Sequence, residues 1–412
     1  MIVIVVILWF YLIGLLIHHL RAVNIVAGVT IACVIGWAIV YRRAIVFHTL
    51  SMGSAQLAIA LAVVCLFAGP ILLEPLTAWD ARSIWFFHAK QIFFDDGLNL
   101  TRGWNNPEYG LFHPAYPKLL PLLAAEAAYI AGMWNEYLPK ASLLVLLTPI
   151  VLALLSLARG ARLSASFLSL MFLLGPGEMI WTGYPDGYLA LYTGMGLLFL
   201  SRWLDERGSL DLIAGVLYLG VALNLKNEGA LIALCAGICG LLFLRWPHVD
   251  GQHLGKVRGL PVYHVLAIIL PLTTYVAWSI IRNRWGLSDD LLGGNSFQRG
   301  FQRMNGGDIF MIIRATFMQS YFVWTLGLLF AAVVAAKLFH IRPRLSSAYP
   351  MIVGVLYAIG LCVVYLATPY SLAWHLQMSA DRVMLVPIYG VIASVYLILH
   401  EIESRAMLQS SA

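Results

Sequence analysis

The sequence predicts an all-α polytopic membrane protein with about 12 transmembrane helices and outer juxtamembrane helices in its first outer loop. Three observations predict this class. The 412 residues are 61% hydrophobic and only 11% charged, whereas soluble domains are roughly 45–50% apolar and about 25% charged. Apolar runs that approach the roughly 20 residues of a membrane crossing recur along the whole chain. The short connections on one side are almost all basic.

The apolar runs are taken here in chain order. We expect a single integral membrane domain over residues 1–412, with two additional N-terminal helices within residues 1–45 and a first outer loop at residues 77–140. The first run lacks the features of a cleaved signal peptide, so we expect a retained span. The predicted spans are Ile2–Leu20, Ile25–Val40, Leu57–Leu76, Ala141–Leu157, Ser164–Trp181, Tyr188–Trp203, Leu212–Leu225, Ala230–Leu244, Tyr263–Ile281, Tyr321–Leu338, Met351–Ala367 and Val383–His400.

One further apolar run, Lys118–Met133, decides the topology. If it lies on the outer membrane surface rather than crossing, almost every short inner connection carries basic residues, including Arg42, Arg43 and Arg159. We therefore expect a surface helix here, cytoplasmic termini and most carboxylates outside. A second surface helix is predicted in GDIFMIIRATFMQSYF, where apolar residues follow helical spacing. The function is then expected to face outward.

The composition also excludes some partners and chemistries. The net charge is +6, but the 26 Lys and Arg residues form no stripe or tail, so no nucleic-acid partner is expected. The five cysteines lie inside apolar runs, which indicates small packing residues rather than disulfides or metal ligands. They are Cys33, Cys65, Cys235, Cys239 and Cys362.

The first outer loop opens with WDARSIWFFHAKQIFFDDGLN, directly after the third span. Asp80 lies beside Trp79 where a helix leaves the apolar phase, and exclusion of water there suits a general base. An alternative that is compatible with this role is a helix N-cap, since Asp80 opens a run of helical periodicity. Asp95 and Asp96, beside Gly97, are interpreted as solvated turn residues.

This loop resembles that of the GT-C glycosyltransferases, and most closely the branch of protein O-mannosyltransferases and lipid A aminoarabinose transferases. In that family an acidic residue opens a juxtamembrane helix that closes with a Gly turn, and Asp80 stands on the catalytic position. The following FHPAYPKLLPLLAAEAAYIAGMWNEYLPK is similar to the family's Pro-rich turn, second juxtamembrane helix and acidic–basic pair, with His113, Glu136 and Lys140 in those places. Lys140 departs from the usual Arg, and it binds phosphate as a point charge.

Polar residues also stand at the outer ends of later spans. Asp186, in the turn-like YPDG, either orders the acceptor or the base or is an exposed turn residue. Lys226 and Glu228, in LNLKNEG, form either a structural ion pair or part of a donor site, because ionisable groups at the bilayer are costly unless they are paired or functional.

The C-terminal region supplies two more candidates, in SLAWHLQMSADRVMLVPIY. Arg382 is expected at an outer helix start, where the helix dipole disfavours a cation, so it needs an anionic partner. That partner is either Asp381 or a lipid phosphate, and the resemblance of DRVMLVP to the family's C-terminal pattern favours phosphate. His375 either contacts phosphate or sugar or packs at the interface.

Four outward arginines stand in the long outer connection after the ninth predicted span, where they break the trend of basic inner loops. They indicate either recognition of anionic headgroups or a solvated face. These residues are Arg282, Arg284, Arg299 and Arg303.

The resemblance implies a reaction and a division of labour. A sugar would pass from a polyprenyl-phosphate donor to a hydroxyl of a lipid, glycan or protein acceptor, with inversion and with Asp80 as general base. The donor phosphate would meet Arg382, Lys140, Lys226 and His375, and the acceptor and sugar would meet Asp186, His113, Glu136 and Glu228.

The same resemblance implies a setting. The chain would lie among the lipids of a bacterial inner membrane with its active site facing the periplasm. No cofactor is required when fixed cations neutralise the phosphate, although the family has members with a divalent metal ion, so a metal stays open. The alternative function is a multi-pass transporter or flippase for a lipid-linked sugar, which predicts repeated halves that the sequence does not display.

Overall fold

The computed structural model describes residues 1–40, 54–100, 104, 113–158, 162–245, 262–287 and 295–410. Within these ranges the protein is all-α and contains no strand. Arg42, Arg43 and Arg159, on which part of the topology prediction rests, lie outside the described residues. The same holds for much of the stretch between Leu100 and His113 in the first outer loop.

The helices are α1 (Ile2–Leu16), α2 (Leu20–Val40), α3 (Ser54–Leu73), α4 (Phe86–Phe94), α5 (Leu119–Ala131), α6 (Ala141–Leu157), α7 (Arg162–Leu174), α8 (Pro185–Glu206), α9 (Ser209–Leu225), α10 (Glu228–Arg245), α11 (Val262–Arg284), α12 (Ser296–Asn305), α13 (Asp308–Phe317), α14 (Ser320–Leu338), α15 (Tyr349–Ala367), α16 (Leu372–Val383) and α17 (Leu385–Ser410). A π-helical segment, Ala81–Trp85, runs directly into α4. Short 3₁₀ segments occur at Leu138–Lys140, Gly177–Ile180 and Leu345–Ala348.

Each apolar run predicted to cross the membrane coincides with one of these helices, and α5 and α13 coincide with the two predicted surface helices. Among the described residues, six stretches are long and apolar enough to cross a membrane. The protein is therefore an integral membrane protein, as its composition predicts. The six are Gln56–Leu73, Leu138–Leu157, Glu228–Arg245, Ser320–Leu338, Leu345–Ala367 and Leu372–Gln409.

Helix α7 is shorter than the run from which it was predicted. The apolar run continues to Trp181, but the helix ends at Leu174. The next two residues are Gly175 and Pro176, and proline both lacks a backbone donor and disfavours a helical residue before it. The backbone then forms the 3₁₀ segment Gly177–Ile180. Hydropathy therefore located the apolar segment but not the break inside it.

The chain divides into two compact units. The first unit comprises Met1–Ser156, Ile180–Tyr184 and Thr273–Leu287. The second comprises Leu157–Met179, Pro185–Leu272 and Ser288–Ala412. Each unit has a buried apolar interior of its own, and each contains some of the candidate residues.

In the first unit, α1 packs against α5. Gly14 lies close to Leu122, since a Cβ on Gly14 would be 3.2 Å from a Leu122 methyl carbon. The Tyr11 hydroxyl accepts a hydrogen bond from the Lys118 amide, 3.2 Å away. After α4 the chain turns at Gly97, whose φ is +146° and whose added Cβ would meet the His18 carbonyl oxygen at 2.3 Å. The glycine that ends the predicted juxtamembrane helix is therefore required by this close approach.

In the second unit, α8 carries several charged residues although most of its residues are buried. α9 packs along it. Small residues allow this approach: a Cβ on Gly196 would be 2.7 Å from Leu219, and one on Gly215 would be 2.6 Å from Leu200. Close backbone approach through glycine is a common way to pack helices where lipid removes the hydrophobic driving force. This packing fixes the start of α8 relative to the end of α9, where the candidate site lies.

Candidate functional site

Four charged residues of the second unit meet at helix ends. Asp186 is in the first turn of α8 and Glu228 in the first turn of α10. Lys226 follows the last residue of α9, and Arg382 is in the last turn of α16. Carboxylates are favoured at helix N-termini and cations at C-termini, so each charge stands at the end that its own helix stabilises.

These four side chains form a charge-balanced cluster, which we call the ion network. The Lys226 Nζ is 2.9 Å from Asp186 Oδ1 and 2.8 Å from Glu228 Oε1. The Arg382 guanidinium is 3.9 Å from Asp186 Oδ2, which is an ion pair too long for a hydrogen bond. Lys226 is therefore the centre of the network, and Arg382 is its loosest member.

The ion network is buried but not saturated. The Asp186 side chain is 2% exposed and that of Lys226 10%. Asp186 Oδ2 and Glu228 Oε2 are buried and accept no hydrogen bond from the described residues. The Tyr357 hydroxyl in α15 is also buried and makes no hydrogen bond with them. Tyr357 lies within electrostatic range of Asp186, Lys226 and Glu228. Buried polar atoms without partners are rare, so this group is poised to receive a ligand or water that supplies donors.

The structure decides between several interpretations of these residues. The exposed-turn interpretation of Asp186 is wrong, because the residue is buried inside the first turn of α8. The ion pair predicted between Lys226 and Glu228 is confirmed. Whether that pair also contacts a donor stays a prediction.

The position predicted for Arg382 needs a correction. The residue does not open the last helix, since α16 is a separate helix that carries Arg382 in its final turn. A cation is favoured there, and the guanidinium donates to the Met378 carbonyl at 3.0 Å. Asp186 is an acidic partner of Arg382 within the described chain.

Two of the four outward arginines have a structural role. Arg299 donates to the Ala367 carbonyl at the end of α15, at 3.2 Å. The hydrogen bonds of Arg299 and Arg303 satisfy carbonyls that the end of α15 leaves without partners, and they hold the connection to α16. They therefore contribute to the position of His375 and Arg382. This structural role differs from both predicted roles of the arginines, namely headgroup recognition and a solvated face. Arg303 donates to the carbonyls of Tyr365, Leu366, Thr368 and Tyr370.

His375 lies in an aromatic group beside the ion network. Its ring meets the Tyr365 ring edge-on with centroids 5.0 Å apart, and the Tyr365 hydroxyl bonds to Ser379 at 2.8 Å. Tyr365 is also within electrostatic range of Lys226 and Arg382. Sequence reasoning missed Tyr357 and Tyr365, because a tyrosine inside an apolar run is indistinguishable from core packing until its neighbours are known.

In the first unit, Asp80 is half-buried at the start of the π-helical segment. Its backbone is helical, with φ −63° and ψ −34°, and its side chain makes no capping hydrogen bond. Asp80 therefore stands at the N-cap position but does not make the side-chain hydrogen bond that the N-cap interpretation predicts. π-helical turns are infrequent and often occur at functional sites, so the segment marks Asp80 independently of its sequence context.

Aromatic rings of the same unit form a stack. The Trp85 and Tyr116 rings are stacked with centroids 5.2 Å apart, and Tyr116 stacks on His113 at 4.7 Å. Trp85 ends the π-helical segment that Asp80 begins. The predicted site residue His113 is thus tied through Tyr116 to the helix that carries Asp80.

The remaining two predicted residues of the first unit differ in exposure. The Lys140 ammonium is buried and donates to the Glu74 carbonyl at 2.8 Å, close to the end of α3. Glu136 is exposed. The structure thus gives Lys140 a definite structural contact, and its role toward a phosphate stays a prediction, as does the role of Glu136.

A second buried lysine of the first unit, Lys118, was not identified from the sequence. Its ammonium lies 4.9 Å from the ring centres of Trp104 and Trp278, donates to the Pro114 carbonyl at 2.8 Å and lies 3.3 Å from His88 Nδ1. We call this group the lysine cage. Burial lowers the pKa of Lys118 well below its usual value. Within the described part of the chain no carboxylate forms an ion pair with it.

The candidate residues thus fall into two sets. The ion network and His375 belong to the second unit, whereas Asp80, His113, Glu136 and Lys140 belong to the first. Across the described ranges, no group of three His, Cys, Asp or Glu side chains could hold a metal ion. Comparisons with protein-family models, with curated proteins and with solved structures give no match. Function must therefore be argued from the chemistry of the residues.

Proposed function

We propose that the protein is a membrane glycosyltransferase that moves a sugar from a polyprenyl-phosphate donor to an acceptor hydroxyl. The observation that carries this proposal is the ion network, in which two carboxylates each keep a buried oxygen without a hydrogen bond from the described residues. A sugar presents several hydroxyl donors on a small surface, and unpaired carboxylate oxygens are acceptors for them. Asp186 and Glu228 are accordingly the sugar-binding residues of the proposal.

The cations of the network suit the phosphate of the same donor. The network has two negative and two positive side chains, so a phosphate needs one cation to turn toward it. Arg382 is the candidate, because it is the member held at the longest distance and its planar fork matches phosphate oxygens. Lys226 stays between the carboxylates and keeps the site neutral when the phosphate leaves. His375 and Lys140 are the further phosphate contacts of the proposal.

The proposed topology places the reaction outside. About twelve helices cross the membrane, both termini are cytoplasmic, and the first outer loop carries Asp80 on the periplasmic side of a bacterial inner membrane. The 13 residues of α5 span about 20 Å, which is shorter than the roughly 30 Å of a bilayer core. The predicted spanning helix α7 has the same length, so the distribution of basic residues, rather than length, supports a surface position for α5.

The proposed reaction is a single displacement. Asp80 takes the proton from the acceptor hydroxyl, and the acceptor oxygen attacks the anomeric carbon from the face opposite the phosphate. The new carbon–oxygen bond forms as the bond to the phosphate oxygen breaks, and the polyprenyl phosphate leaves with that electron pair. Fixed cations stabilise the charge on the departing phosphate. The sugar is inverted without a covalent intermediate, and the proposal requires no cofactor.

The donor class can be tested by mass spectrometry of lipid that copurifies with the protein. We expect a prenyl-phosphate sugar in wild-type samples and its depletion in Arg382→Ala. Samples of the matched variant Arg314→Ala, in the last turn of α13, should retain it. Recovery of phospholipids alone from wild-type protein, after expression in cells that make prenyl-phosphate sugars, would contradict the donor assignment.

The general base can be tested by Asp80→Asn. We expect this variant to lose at least about 100-fold in transfer, the usual scale of general-base catalysis, while retaining bound donor. Asp96→Asn is the matched control, because Asp96 is exposed with φ 55° and Asn tolerates that backbone. Transfer by Asp80→Asn at the wild-type rate would remove Asp80 from the mechanism.

A transporter or flippase for a lipid-linked sugar is the second candidate function. The observation that favours it is the buried ion network itself, because ionisable groups inside a membrane bundle also serve as substrate and coupling sites. Proteoliposomes loaded with a fluorescent prenyl-phosphate sugar distinguish the two. A transferase converts outward-facing donor to product without moving it across the bilayer, whereas a flippase changes its accessibility to an external quencher.

A further inference from the structure

A cavity of about 420 Å³ lies within the second unit, between α8, α9, α10, the start of α11 and the start of α15. It extends along α10 from Ala233 to Leu244, which is about 16 Å at the rise of an α-helix. Leu223 at one end is three residues before Lys226, and Trp203 lies toward the opposite end of the unit. The cavity therefore runs away from the ion network.

The walls of this cavity are apolar. Tyr349 is the one lining residue with a side-chain hydroxyl, and this hydroxyl donates a hydrogen bond to the Ala236 carbonyl at 3.0 Å. A cavity without polar partners does not hold ordered water, and protein interiors seldom leave such space empty. An apolar occupant is thus expected, and hydrocarbon chains surround this unit in a membrane.

The cavity is accessible from the lipid. Leu241 and Leu272, on α10 and α11, line it and are 64% and 55% exposed. Gly237 lines it as well, and a Cβ at Gly237 would meet nothing within 4 Å. A chain from the bilayer can therefore enter between these two helices without displacing a side chain.

Basic side chains stand at the far end of the cavity. Arg245 directly follows the lining residue Leu244, is exposed, and makes no ion pair or hydrogen bond with the described residues. Arg207 lies over the ring of the lining residue Trp203, 5.3 Å from its centre. A tryptophan with neighbouring arginines is typical of the membrane interface, and such arginines attract anionic headgroups.

We propose that this cavity is a binding site for one anionic glycerophospholipid, with an acyl chain between α10 and α11 and its phosphate at Arg245. The site is separate from the sugar-transfer chemistry and does not depend on it. Under the predicted topology, the end with Arg245 is cytoplasmic, so the lipid belongs to the inner leaflet. The charge of Arg245 selects the headgroup, and the apolar walls select the chain.

Native mass spectrometry of the full chain tests this site with two lipids that share the same chains, palmitoyl-oleoyl phosphatidylglycerol and palmitoyl-oleoyl phosphatidylcholine. We expect one phosphatidylglycerol per wild-type chain, bound at least tenfold more tightly than phosphatidylcholine. Arg245→Gln should remove that preference. Wild-type protein that binds the two lipids equally, or that holds a prenyl phosphate in this position, overturns the proposal.

Filling the cavity provides a second measurement with a matched control. Gly237→Leu should lower the affinity for phosphatidylglycerol at least tenfold, whereas Gly327→Leu in α14, where an added Cβ also meets nothing within 4 Å, should keep wild-type affinity. If Gly237→Leu does not fold, Gly240→Ala serves, because its Cβ would approach only the Tyr349 hydroxyl, at 3.9 Å. Wild-type affinity in a folded cavity-filling variant would show that the lipid does not enter the cavity.

Discussion

Lys226 of the second unit and Lys118, one of two buried lysines in the first, are kept from water in different ways. Lys226 lies between the carboxylates of Asp186 and Glu228. Lys118 lies against the faces of two tryptophans and bonds to the Pro114 carbonyl. The first solution is ionic, and the second relies on cation–π contact and a neutral acceptor. Both place an ammonium where an isolated charge would be very costly.

The difference between them indicates which group serves function. Around Lys118 the cage supplies acceptors for the one cation and adds no surplus charge. Around Lys226 two carboxylate oxygens, Glu228 Oε2 and Asp186 Oδ2, are left without hydrogen bonds from described residues. The cage also keeps a buried donor, Trp104 Nε1, without a hydrogen bond from the described residues, so the two groups differ in chemistry rather than in saturation. The ion network offers carboxylate oxygens, which accept hydrogen bonds from a ligand. We therefore propose a structural role for the lysine cage and a binding role for the ion network.

Loss of the central cation should have the largest effect on stability. Lys226→Met leaves two buried carboxylates with Arg382 alone, and removal of one partner from a buried ion pair usually costs about 3–5 kcal/mol. We expect a corresponding drop in the free energy of unfolding, measured by denaturant titration in detergent micelles. Lys337→Met, in the exposed last turn of α14, should cost less than about 1 kcal/mol.

A second substitution shows whether the effect arises from charge. Adding Glu228→Gln to Lys226→Met removes one of the two uncompensated carboxylates, so stability should partly return. Equal stability of the single and double variants would mean that Lys226 acts through packing. That result would contradict an ionic role for Lys226 between the two carboxylates.

Loss of the caged cation should have a smaller effect. In Lys118→Met the methionine keeps most of the stem, and the protein loses cation–π contacts worth about 1–2 kcal/mol while it no longer buries a charge. We expect a net loss of about 1–2 kcal/mol near neutral pH, by the same titration. A loss as large as that of Lys226→Met would contradict the distinction between the two lysines.

The pH dependence of stability distinguishes the cage further. Burial lowers the pKa of Lys118 in the folded protein, while the unfolded chain keeps a lysine pKa of about 10.4. Between these two values the unfolded state binds more protons, so wild-type stability should rise with pH up to about pH 10. Lys118→Met should show a smaller rise, because Lys140 is buried as well and contributes to it, and the exposed Lys90→Met should keep the full rise. The same slope in all three proteins would show that Lys118 is not the titrating group.

The fold was largely predictable because hydropathy reports the dominant constraint on a chain in lipid, namely that every backbone group must bond within a helix. The exceptions have local causes. Gly175 and Pro176 break α7 inside an apolar run. α16 and α17 are separate helices, which places Arg382 at a helix end rather than a start. Hydropathy averaged over many residues does not resolve such breaks.

The candidate site was predictable in part, for an energetic reason. Charged residues at the ends of apolar runs are expensive unless they are paired or functional, and this singled out Lys226 and Glu228. Asp186 was singled out by its position at the outer end of a predicted span. The lysine cage gave no such signal, because its members are distant in the chain: the Trp278 indole donates to the carbonyl of Ala115, 163 positions away. Tryptophans near a membrane surface are ordinary, so their convergence on Lys118 is visible only in three dimensions.

Removal of a single unpartnered hydroxyl should have the smallest effect on stability and gives the sharpest test of an open network. The Tyr357 hydroxyl makes no hydrogen bond with described residues, so Tyr357→Phe should change the free energy of unfolding by less than about 0.5 kcal/mol. If the hydroxyl meets the donor, transfer should fall by about 3–10-fold, the equivalent of one hydrogen bond. The measurement pairs a transfer assay with denaturant titration of the same preparation.

Tyr389→Phe should give the opposite pattern. The Tyr389 hydroxyl is buried in the same unit and donates to the Met171 carbonyl at 3.0 Å, so its loss should cost about 1 kcal/mol of stability and leave transfer unchanged. The contrast matters because both substitutions remove one buried tyrosine hydroxyl. The Tyr389 hydroxyl is paired, whereas the Tyr357 hydroxyl lies beside the ion network without a hydrogen bond from described residues. If the Tyr357 hydroxyl binds the donor, Tyr357→Phe should lower transfer without lowering stability, and Tyr389→Phe should lower stability without lowering transfer. Tyr357→Phe protein that loses stability as Tyr389→Phe does, yet transfers sugar normally, would mean that the network is closed.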